Sequence, residues 1–220
     1  MPEPAQEPTR LPLRQALHQR VSTTILAAAA STFAARGERA NLGDVAVAAG
    51  VARATVYRYY PNRRRLLEEL TRHAAERAHE RLVAARIDEV PVDEGLTRAI
   101  RAFVDEGDAF VVLVRERGRT EGDEFERLIA APLRRLFESA RSEARVRHEI
   151  PPGVLAESLL GIVAGVLGNC SLGRDDTVAT IRTVFLEGAF APQRPDQLPA
   201  AEGGRATVLR PKSKRRSKGA

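Results

Sequence analysis

The sequence contains little sulfur and few aromatic rings. Its 220 residues include one cysteine, one methionine and no tryptophan, and aromatic side chains make up only 5%. A single cysteine, Cys170, cannot form a disulfide within the chain, which fits a reducing cytoplasm. Because Cys170 lies in an apolar segment that is predicted to be helical, we interpret it as a small buried side chain, with a cysteine-based redox sensor as the alternative.

The residue patterns of common catalytic and metal sites are also missing. The four histidines are scattered, and there is no paired Cys/His ligand set, phosphate-binding Gly loop or Gly-x-Ser-x-Gly turn. We therefore predict no enzymatic activity, no metal and no cofactor.

No segment has the features of a signal peptide or a membrane span. The first 15 residues, MPEPAQEPTRLPLRQ, are interrupted by proline, and we predict a flexible leader over 1–12. The longest apolar run, Val154 to Leu172, contains Glu157, Ser158 and Asn169, which favours a buried helix over a membrane span. We expect a cytoplasmic, nucleoid-associated protein with no membrane partner.

The composition favours helices, and the charge is divided along the chain. Ala, Leu, Arg and Glu dominate, so we predict an all-α fold. Residues 1–73 carry 11 basic and 6 acidic side chains, residues 74–190 carry 16 and 21, and residues 191–220 carry 8 and 2. A net charge of about +5 on the first segment and −5 on the second suggests that a polyanion binds near the N-terminus.

Residues 41–65, NLGDVAVAAGVARATVYRYYPNRRR, predict two short helices joined by a tight turn. The side-chain oxygen of Asn41 can cap the first helix, Leu42 to Ala49. Gly50 provides the left-handed backbone of the turn. The second helix, Arg53 to Tyr59, carries Arg, Thr and Tyr side chains, which is typical of a helix that enters the DNA major groove.

Several residues of this motif are assigned to its architecture. Ala46 is small enough for the two helices to cross closely, and Val56 supplies an apolar contact that fixes the crossing. Pro61 ends the second helix. Arg63, Arg64 and Arg65 then begin the next helix, where their charge opposes the helix dipole unless a DNA phosphate binds there.

A preceding helix, Leu13 to Arg36, is predicted to support the motif, and Gly37 ends it. Its apolar residues recur at three- and four-residue spacing on one face: Leu13, Leu17, Val21, Ile25, Ala28, Ala29 and Phe33.

Residues Ile25 to Leu70 resemble the DNA-binding domain of the tetracycline-repressor (TetR) family of bacterial regulators. The resemblance rests on AA-x3-F-x3-G at the end of the first helix, D-V-A-x3-G-V in the second helix and its turn, and T-V-Y-R-Y-Y-P-N-R into the fourth. It implies a three-helix helix-turn-helix head over 13–72, with its motif at about 41–60. It also implies a helical ligand-binding and dimerisation body over 73–190.

The resemblance further implies two groups of DNA contacts. The residues that match backbone-contacting positions are Thr55, Tyr57, Tyr59 and Arg63. The residues that fall on the sequence-reading part of the helix are Arg53, Ala54 and Arg58, where Arg can pair with guanine O6 and N7. Tyr60 falls where the family usually has Phe, which implies core packing.

Two features depart from the family pattern. Ala52 replaces the Ser or Thr that commonly caps the third helix, which loses about 1 kcal/mol of capping stabilisation. The loop from Glu38 to Ala40 is about one residue shorter than usual.

In the body, periodicity predicts further helices, with a Gly-containing loop at 118–122. Their predicted bounds are Arg64 to Ile87, Asp93 to Arg117, Phe125 to Arg147, Pro152 to Leu172 and Asp175 to Phe190. Residues 191–220 lose periodicity and end in RPKSKRRSKGA, which predicts a disordered basic tail. The tail either adds salt-sensitive attraction to DNA or only increases solubility.

The two C-terminal helices are the most apolar, and in this family such a pair usually forms a homodimer. Gly161, Gly165 and Gly168 would let a partner helix approach closely, although an intramolecular core helix explains the same pattern. Two-fold pairing would double the base contacts across a palindromic operator.

The resemblance also suggests a pocket for a small molecule of unknown identity in the body. Its candidate lining residues are Phe103, Val104, Phe110, Leu113, Phe125, Leu128, Leu136 and Phe137. The alternative is that these residues form only core.

Two functions follow from these patterns. The first is a sequence-specific transcriptional regulator, in this family more often a repressor, that a ligand releases from its operator. The second is a sequence-indifferent architectural protein whose arginines and tail coat DNA.

Overall fold

The computed structural model describes residues 13–117, 124–143 and 145–189, and these segments are helical with no β-sheet. The helices are α1 (Leu13–Arg36), α2 (Leu42–Ala49), α3 (Arg53–Tyr59), α4 (Arg63–Ala85), α5 (Val92–Val104), α6 (Asp108–Glu116), α7 (Ala131–Ser142), α8 (Pro152–Asn169) and α9 (Arg174–Ala189). A 3₁₀ turn, Gly37–Arg39, follows α1, and a π-helical turn, Glu126–Ala130, leads into α7. The predicted all-α fold is confirmed. The predicted leader, loop 118–122 and tail lie outside the described residues.

The N-terminal helices form a small bundle with its own hydrophobic core. Side chains from α1 to the first turns of α4 build this head core, including Ile25, Phe33, Val45, Val56 and Leu66. Each of these five is nearly inaccessible to solvent. The short helices α2 and α3 therefore depend on burial against α1 and α4, since helices of eight and seven residues are marginal alone.

The remaining helices pack around a second, larger core. Helix α8 lies against α6, α7 and α9. By its length of 18 residues and mean hydropathy of 1.4, α8 would be able to cross a membrane, but the core helix of a helical body has the same properties. Its residues Leu155, Leu159, Leu160 and Val163 are buried in the body core. This packing fits the sequence-based preference for a buried helix.

Helix α4 contributes to both cores. Its buried side chains up to Leu70 belong to the head core, and those from Ala74 onward belong to the body core. Helix α6 also reaches both, because Val112 packs in the head core while Phe110 and Leu113 pack in the body core.

The single helix predicted from Asp93 to Arg117 is wrong, because the chain breaks between α5 and α6. Gly107 has a φ of 54°, which a right-handed helix does not allow. The preceding Glu106 side chain is only 2% exposed and is held by two arginines of α4. Its carboxylate lies 3.2 Å from Arg77 Nε and 2.6 Å from Arg81 Nε. These ion pairs fix the turn to α4.

The helix predicted from Phe125 to Arg147 is also too long, since α7 ends at Ser142. The chain then turns so that Val146 enters the body core. Arg145 Nη2 donates to the Asp93 carboxylate at 2.6 Å, which anchors this turn to α5. Helix α8 likewise ends at Asn169, earlier than predicted.

Two predicted buried side chains are exposed. Cys170 lies just after α8 in contact with solvent, because the helix ends before it. Leu17 is 55% exposed, because the first turns of α1 extend beyond the head core, whose first member on this helix is Ile25.

Candidate nucleic-acid interface

The start of α2 is fixed by a reciprocal capping box. Asn41 Oδ1 accepts hydrogen bonds from the backbone N–H groups of Gly43 and Asp44 at 2.8 and 3.1 Å. Asp44 Oδ2 in turn accepts from the Asn41 N–H at 3.0 Å. Asp44 also pairs with Arg36 at 2.7 Å, which ties α2 to the end of α1. The cap by Asn41 was predicted from the sequence, whereas the part of Asp44 in the capping box was not.

The turn between α2 and α3 uses Gly50 in a left-handed conformation. Its φ of 64° and ψ of 29° allow its N–H to bond back to Ala46 and Val47. The N–H of Val51 also bonds to the Ala46 carbonyl, at 3.1 Å. Ala46 is buried at the crossing, so the small residue and the glycine together set the angle between the two helices.

Helix α3 has an anchored face and an outward face. Val56 is fully buried and Tyr60, which follows the helix, is only 7% exposed. The residues of α3 that were predicted to contact DNA all keep solvent-accessible surface. Arg53, Ala54, Tyr57 and Arg58 are exposed, and Thr55 and Tyr59 are half-buried. Ala52 caps α3 without a side-chain hydrogen bond, as its replacement of Ser or Thr implies.

The outward arginines of α3 lie on aromatic rings of the same helix. Arg53 Nη2 donates to the Tyr57 hydroxyl at 3.2 Å, and its guanidinium lies 5.4 Å from the centre of that ring. The hydrogen bond to Tyr57 raises the pKa of Arg53. Arg58 lies 5.7 Å from the centre of the Tyr59 ring. Both guanidinium groups are thereby held close to the helix surface, which favours binding of a polyanion.

Arg63 is engaged inside the head. Its Nε and Nη2 donate to the carbonyls of Ala40 and Gly37, both at 3.3 Å, and its guanidinium lies 5.0 Å from the Phe33 ring. These contacts hold the short loop between α1 and α2. The phosphate contact expected of Arg63 would use N–H groups other than these two and stays a prediction.

The arginines that open α4 are partly neutralised within the helix. Asn62 Oδ1 accepts from the Arg65 N–H at 2.9 Å and caps the helix. Glu68 pairs with Arg64 at 2.7 Å and with Arg65 at 3.2 Å. The hydrogen bond from Arg64 is the main cause that lowers the pKa of Glu68. Glu68 thus relieves part of the repulsion that the arginine run creates, a role that the sequence analysis did not assign.

Two side chains of α1 contact the end of α3 and were also missed. The His18 ring stacks on the Tyr59 ring, with centroids 4.4 Å apart and planes at 22°. Ser22 Oγ and the Tyr60 hydroxyl are 2.8 Å apart. The four-residue spacing of His18 and Ser22 places them on one face of α1. No local sequence pattern indicates which distant residues this face contacts.

The predicted pocket residues lie in the body core. Phe103 and Phe110 are buried and stack on each other with centroids 4.6 Å apart, and Phe137 lies 5.6 Å from Phe185. Val104, Leu113, Leu128 and Leu136 are buried near them, and Phe125 is half-buried with Arg117 beside its ring. A separate open cleft of about 690 Å³ lies between α5 and α9, and none of the predicted residues lines it.

Within 13–117, 124–143 and 145–189, no group of three or more His, Cys, Asp or Glu side chains could hold a metal ion.

Comparison with known proteins agrees with this geometry. Residues 25–70 match the family model for bacterial regulatory proteins of the tetR family. The HTH-type transcriptional repressor LfrR of Mycolicibacterium smegmatis is 30% identical over 154 residues, and the match covers 56% of this chain and 81% of that protein.

Solved structures extend the similarity to the body. LfrR from Mycobacterium smegmatis in complex with proflavine superposes with a TM-score of 0.62 at 28% identity, covering 78% of this chain and 97% of that one. A tetR-family regulatory protein from Rhodococcus RHA1 shares the fold, with a TM-score of 0.61 at 16% identity over 76% and 96% of the two chains. The chain therefore belongs to the TetR family of DNA-binding transcriptional regulators.

Proposed function

We propose that this protein is a homodimeric repressor that binds a palindromic operator through α3 and leaves it when a small molecule binds the body. One observation carries the proposal. Val56 and Tyr60 anchor α3 in the head core, while Arg53, Tyr57 and Arg58 remain exposed on a cationic, aromatic face. A helix held in this way can enter the major groove without rearranging the head.

The proposed DNA contacts divide by chemistry. Arg53 and Arg58 would donate to base edges, with Ala54 allowing close approach or contacting a thymine methyl group. The residues proposed to contact phosphates are Thr55, Tyr57, Tyr59 and Arg63. Phosphate contacts fix the position of the head, whereas the base contacts give specificity.

The outer face of α8 and α9 supports pairing of two copies. Val154 of α8 is 51% exposed and Val184 of α9 is 53% exposed. A Cβ added at Gly161 or Gly165 would meet no atom of the same chain within 4 Å, so this face has room for another helix. Gly168 differs, because its Cβ would lie 2.9 Å from Arg115 Nη2. We therefore assign Gly161 and Gly165 to the dimer and Gly168 to packing within the protomer.

The proposed ligand site is the body core around Phe103, Phe110, Leu113, Phe125 and Phe137. The similar protein LfrR was solved in complex with proflavine, which supports a small-molecule ligand for this chain. Because Phe103 and Phe110 already stack on each other, a ligand between them would have to separate the rings. It would release DNA only if it binds the released conformation more tightly than the DNA-bound one.

The proposed domain limits are 13–72 for the head and 73–190 for the body. The change of core within α4, between Leu70 and Ala74, supports this boundary. Both domains share α4, so a movement of the body can be transmitted to the head along one helix.

Selection of bound sites from random duplex DNA, followed by fluorescence anisotropy on the selected site and on scrambled DNA, tests the function. We expect Arg58→Ala to lose affinity for the selected site with little change on scrambled DNA. Arg65→Ala, the comparison variant at the start of α4, should weaken both alike. Equal affinity of the wild-type protein for all sequences would contradict the regulator and support the architectural alternative.

Sedimentation velocity tests the dimer. A Cβ at Gly161 meets nothing within 4 Å in the isolated protomer, so Gly161→Leu should shift the protein to monomers, whereas Arg135→Leu on the exposed face of α7 should not. A dimer unaffected by Gly161→Leu would place the interface on another surface.

A thermal-shift screen of small molecules tests the ligand, since binding to the folded state raises the Tm.

A further inference from the structure

Helix α1 braces the end of α3 through two side chains one helical turn apart. His18 stacks on Tyr59, and Ser22 pairs with the hydroxyl of Tyr60. The two contacts differ in their surroundings. Tyr60 belongs to the buried head core, whereas His18 is exposed and Tyr59 is half-buried beside the exposed Arg58. The Ser22 contact therefore stabilises the head, and the His18 contact lies at the proposed DNA surface.

The cost of ordering a side chain explains what the stack can do. A half-buried tyrosine that contacts a phosphate must give up rotational freedom when DNA binds. A second ring stacked on its face restricts the tyrosine before DNA binds. Such aromatic pairs add to stability beyond the effect of the area that they bury. The ring of His18 is nearly parallel to that of Tyr59, the geometry in which one ring limits the rotation of the other.

We infer that His18 is a positioning residue for DNA binding, which holds the Tyr59 ring in the orientation that contacts a backbone phosphate. This inference rests on the proposed function, because it assumes that Tyr59 meets DNA. His18 acts through Tyr59 and reads no base, so its removal weakens binding to all sequences alike.

The exposed start of α1 agrees with this role. Leu17 is exposed, Val21 is half-buried against the head core, and the first fully buried residue of this helix is Ile25. The turns before Ile25 thus add less to the core than the turns after it, and they carry the two side chains, His18 and Ser22, that contact Tyr59 and Tyr60. Their contribution is the orientation of Tyr59 and Tyr60.

A double-mutant cycle on the full-length protein tests the inference. The probe is the duplex selected from random DNA by the wild-type protein, and binding is measured at low salt so that weak variants remain measurable. We expect His18→Ala to weaken binding about fivefold for each head, the loss that corresponds to ordering one side chain when DNA binds. His18→Phe should restore most of the affinity, because it keeps the stacked ring. In a Tyr59→Ala background, His18→Ala should have no further effect.

Gln19→Ala is the matched control, since Gln19 is the adjacent exposed residue of the same helix and should leave affinity unchanged. A proton NMR spectrum gives a readout without DNA. The imidazole C–H resonances of His18 should be shifted upfield by the Tyr59 ring and return in Tyr59→Ala.

The possible results separate the inference from the proposed function. If the wild-type protein selects no site, the proposed function fails, and the NMR shift then reports only on the stack. If it selects a site, three results would overturn the inference: unchanged affinity in His18→Ala, an equal loss in the Tyr59→Ala background, or no rescue by His18→Phe. The third would show that the imidazole itself contacts DNA.

Discussion

Arg115 Nη1 of α6 donates a hydrogen bond of 2.8 Å to the carbonyl oxygen of Ala34 in α1. The same guanidinium lies against Gly168 of α8, where a Cβ would be 2.9 Å from Nη2. One side chain therefore connects the last turns of the head's first helix with the C-terminal end of α8. Gly168 leaves the space that this side chain occupies.

Removing the guanidinium should loosen this junction. Arg115→Met keeps most of the aliphatic stem and should lower the free energy of unfolding by about 1 kcal/mol, because the hydrogen bond is charge-assisted but partly exposed. Hydrogen exchange should accelerate in peptides that cover the end of α1 and leave the centre of α5 unchanged. Arg182→Met, at an exposed site on α9, is the control. Equal exchange in the two variants would show that Arg115 does not couple the helices.

The missing cap of α3 should be repairable. Ala52 has the extended backbone of an N-cap, with φ of −62° and ψ of 141°, but no side-chain acceptor. Ala52→Ser should therefore raise the free energy of unfolding by about 1 kcal/mol in urea titrations. Ala52→Val cannot accept a hydrogen bond and should give no gain. A similar effect of both substitutions would argue against capping as the cause.

Gly50 should be sensitive to any side chain. A Cβ at this position would meet nothing within 4 Å, so the cost of Gly50→Ala arises from the left-handed backbone alone. We expect a loss of about 1–2 kcal/mol in stability, with a smaller loss for Gly50→Asn. Gly153→Ala has the same open space inside a right-handed helix and should not destabilise the protein. Calorimetry of the three variants measures the difference.

Acid should weaken the link between α9 and the α5–α6 turn. Arg174 donates to the Asp105 carboxylate at 2.8 Å, and this hydrogen bond is the main cause that lowers the pKa of Asp105. A lowered folded-state pKa stabilises the protein above the ordinary aspartate value of about 3.9, and this stabilisation is lost as the pH falls below it. The wild-type protein should therefore exceed Asp105→Asn in stability at pH 7, and the difference should shrink below about pH 4.

Urea titrations across this pH range measure the effect. Asp88→Asn, an exposed carboxylate in another loop, serves as the control. A constant difference between wild type and Asp105→Asn at all pH values would show that the ion pair is not its source.

The sequence predicted best what local chemistry determines. Asn41, Gly50 and Pro61 mark helix ends through caps, left-handed backbone and a missing donor, and the bounds of α2 and α3 agree with the prediction. Val56 is an apolar residue among the polar side chains of α3, and it is buried as predicted. The DNA contacts themselves stay a prediction.

The failures arise from contacts between distant segments. One glycine in a helical pattern costs only about 1 kcal/mol, so the pattern alone did not reveal the break at Gly107. The break is fixed by Glu106 and the arginines of α4, which lie at least 25 residues away. His18 of α1 meets Tyr59 of α3 in the same way, although the two residues lie far apart in the sequence. Periodicity carries no information about such pairs.

Helix α6 has nine residues and yet completes two hydrophobic cores, through Val112 on one side and Phe110 and Leu113 on the other. If α6 leaves one core, it also leaves the other, and apolar side chains become exposed in both. Head and body should therefore melt as one cooperative unit, with equal calorimetric and van't Hoff enthalpies of unfolding for each protomer. The same sharing means that a head cut away after α4 would lack part of its own interior.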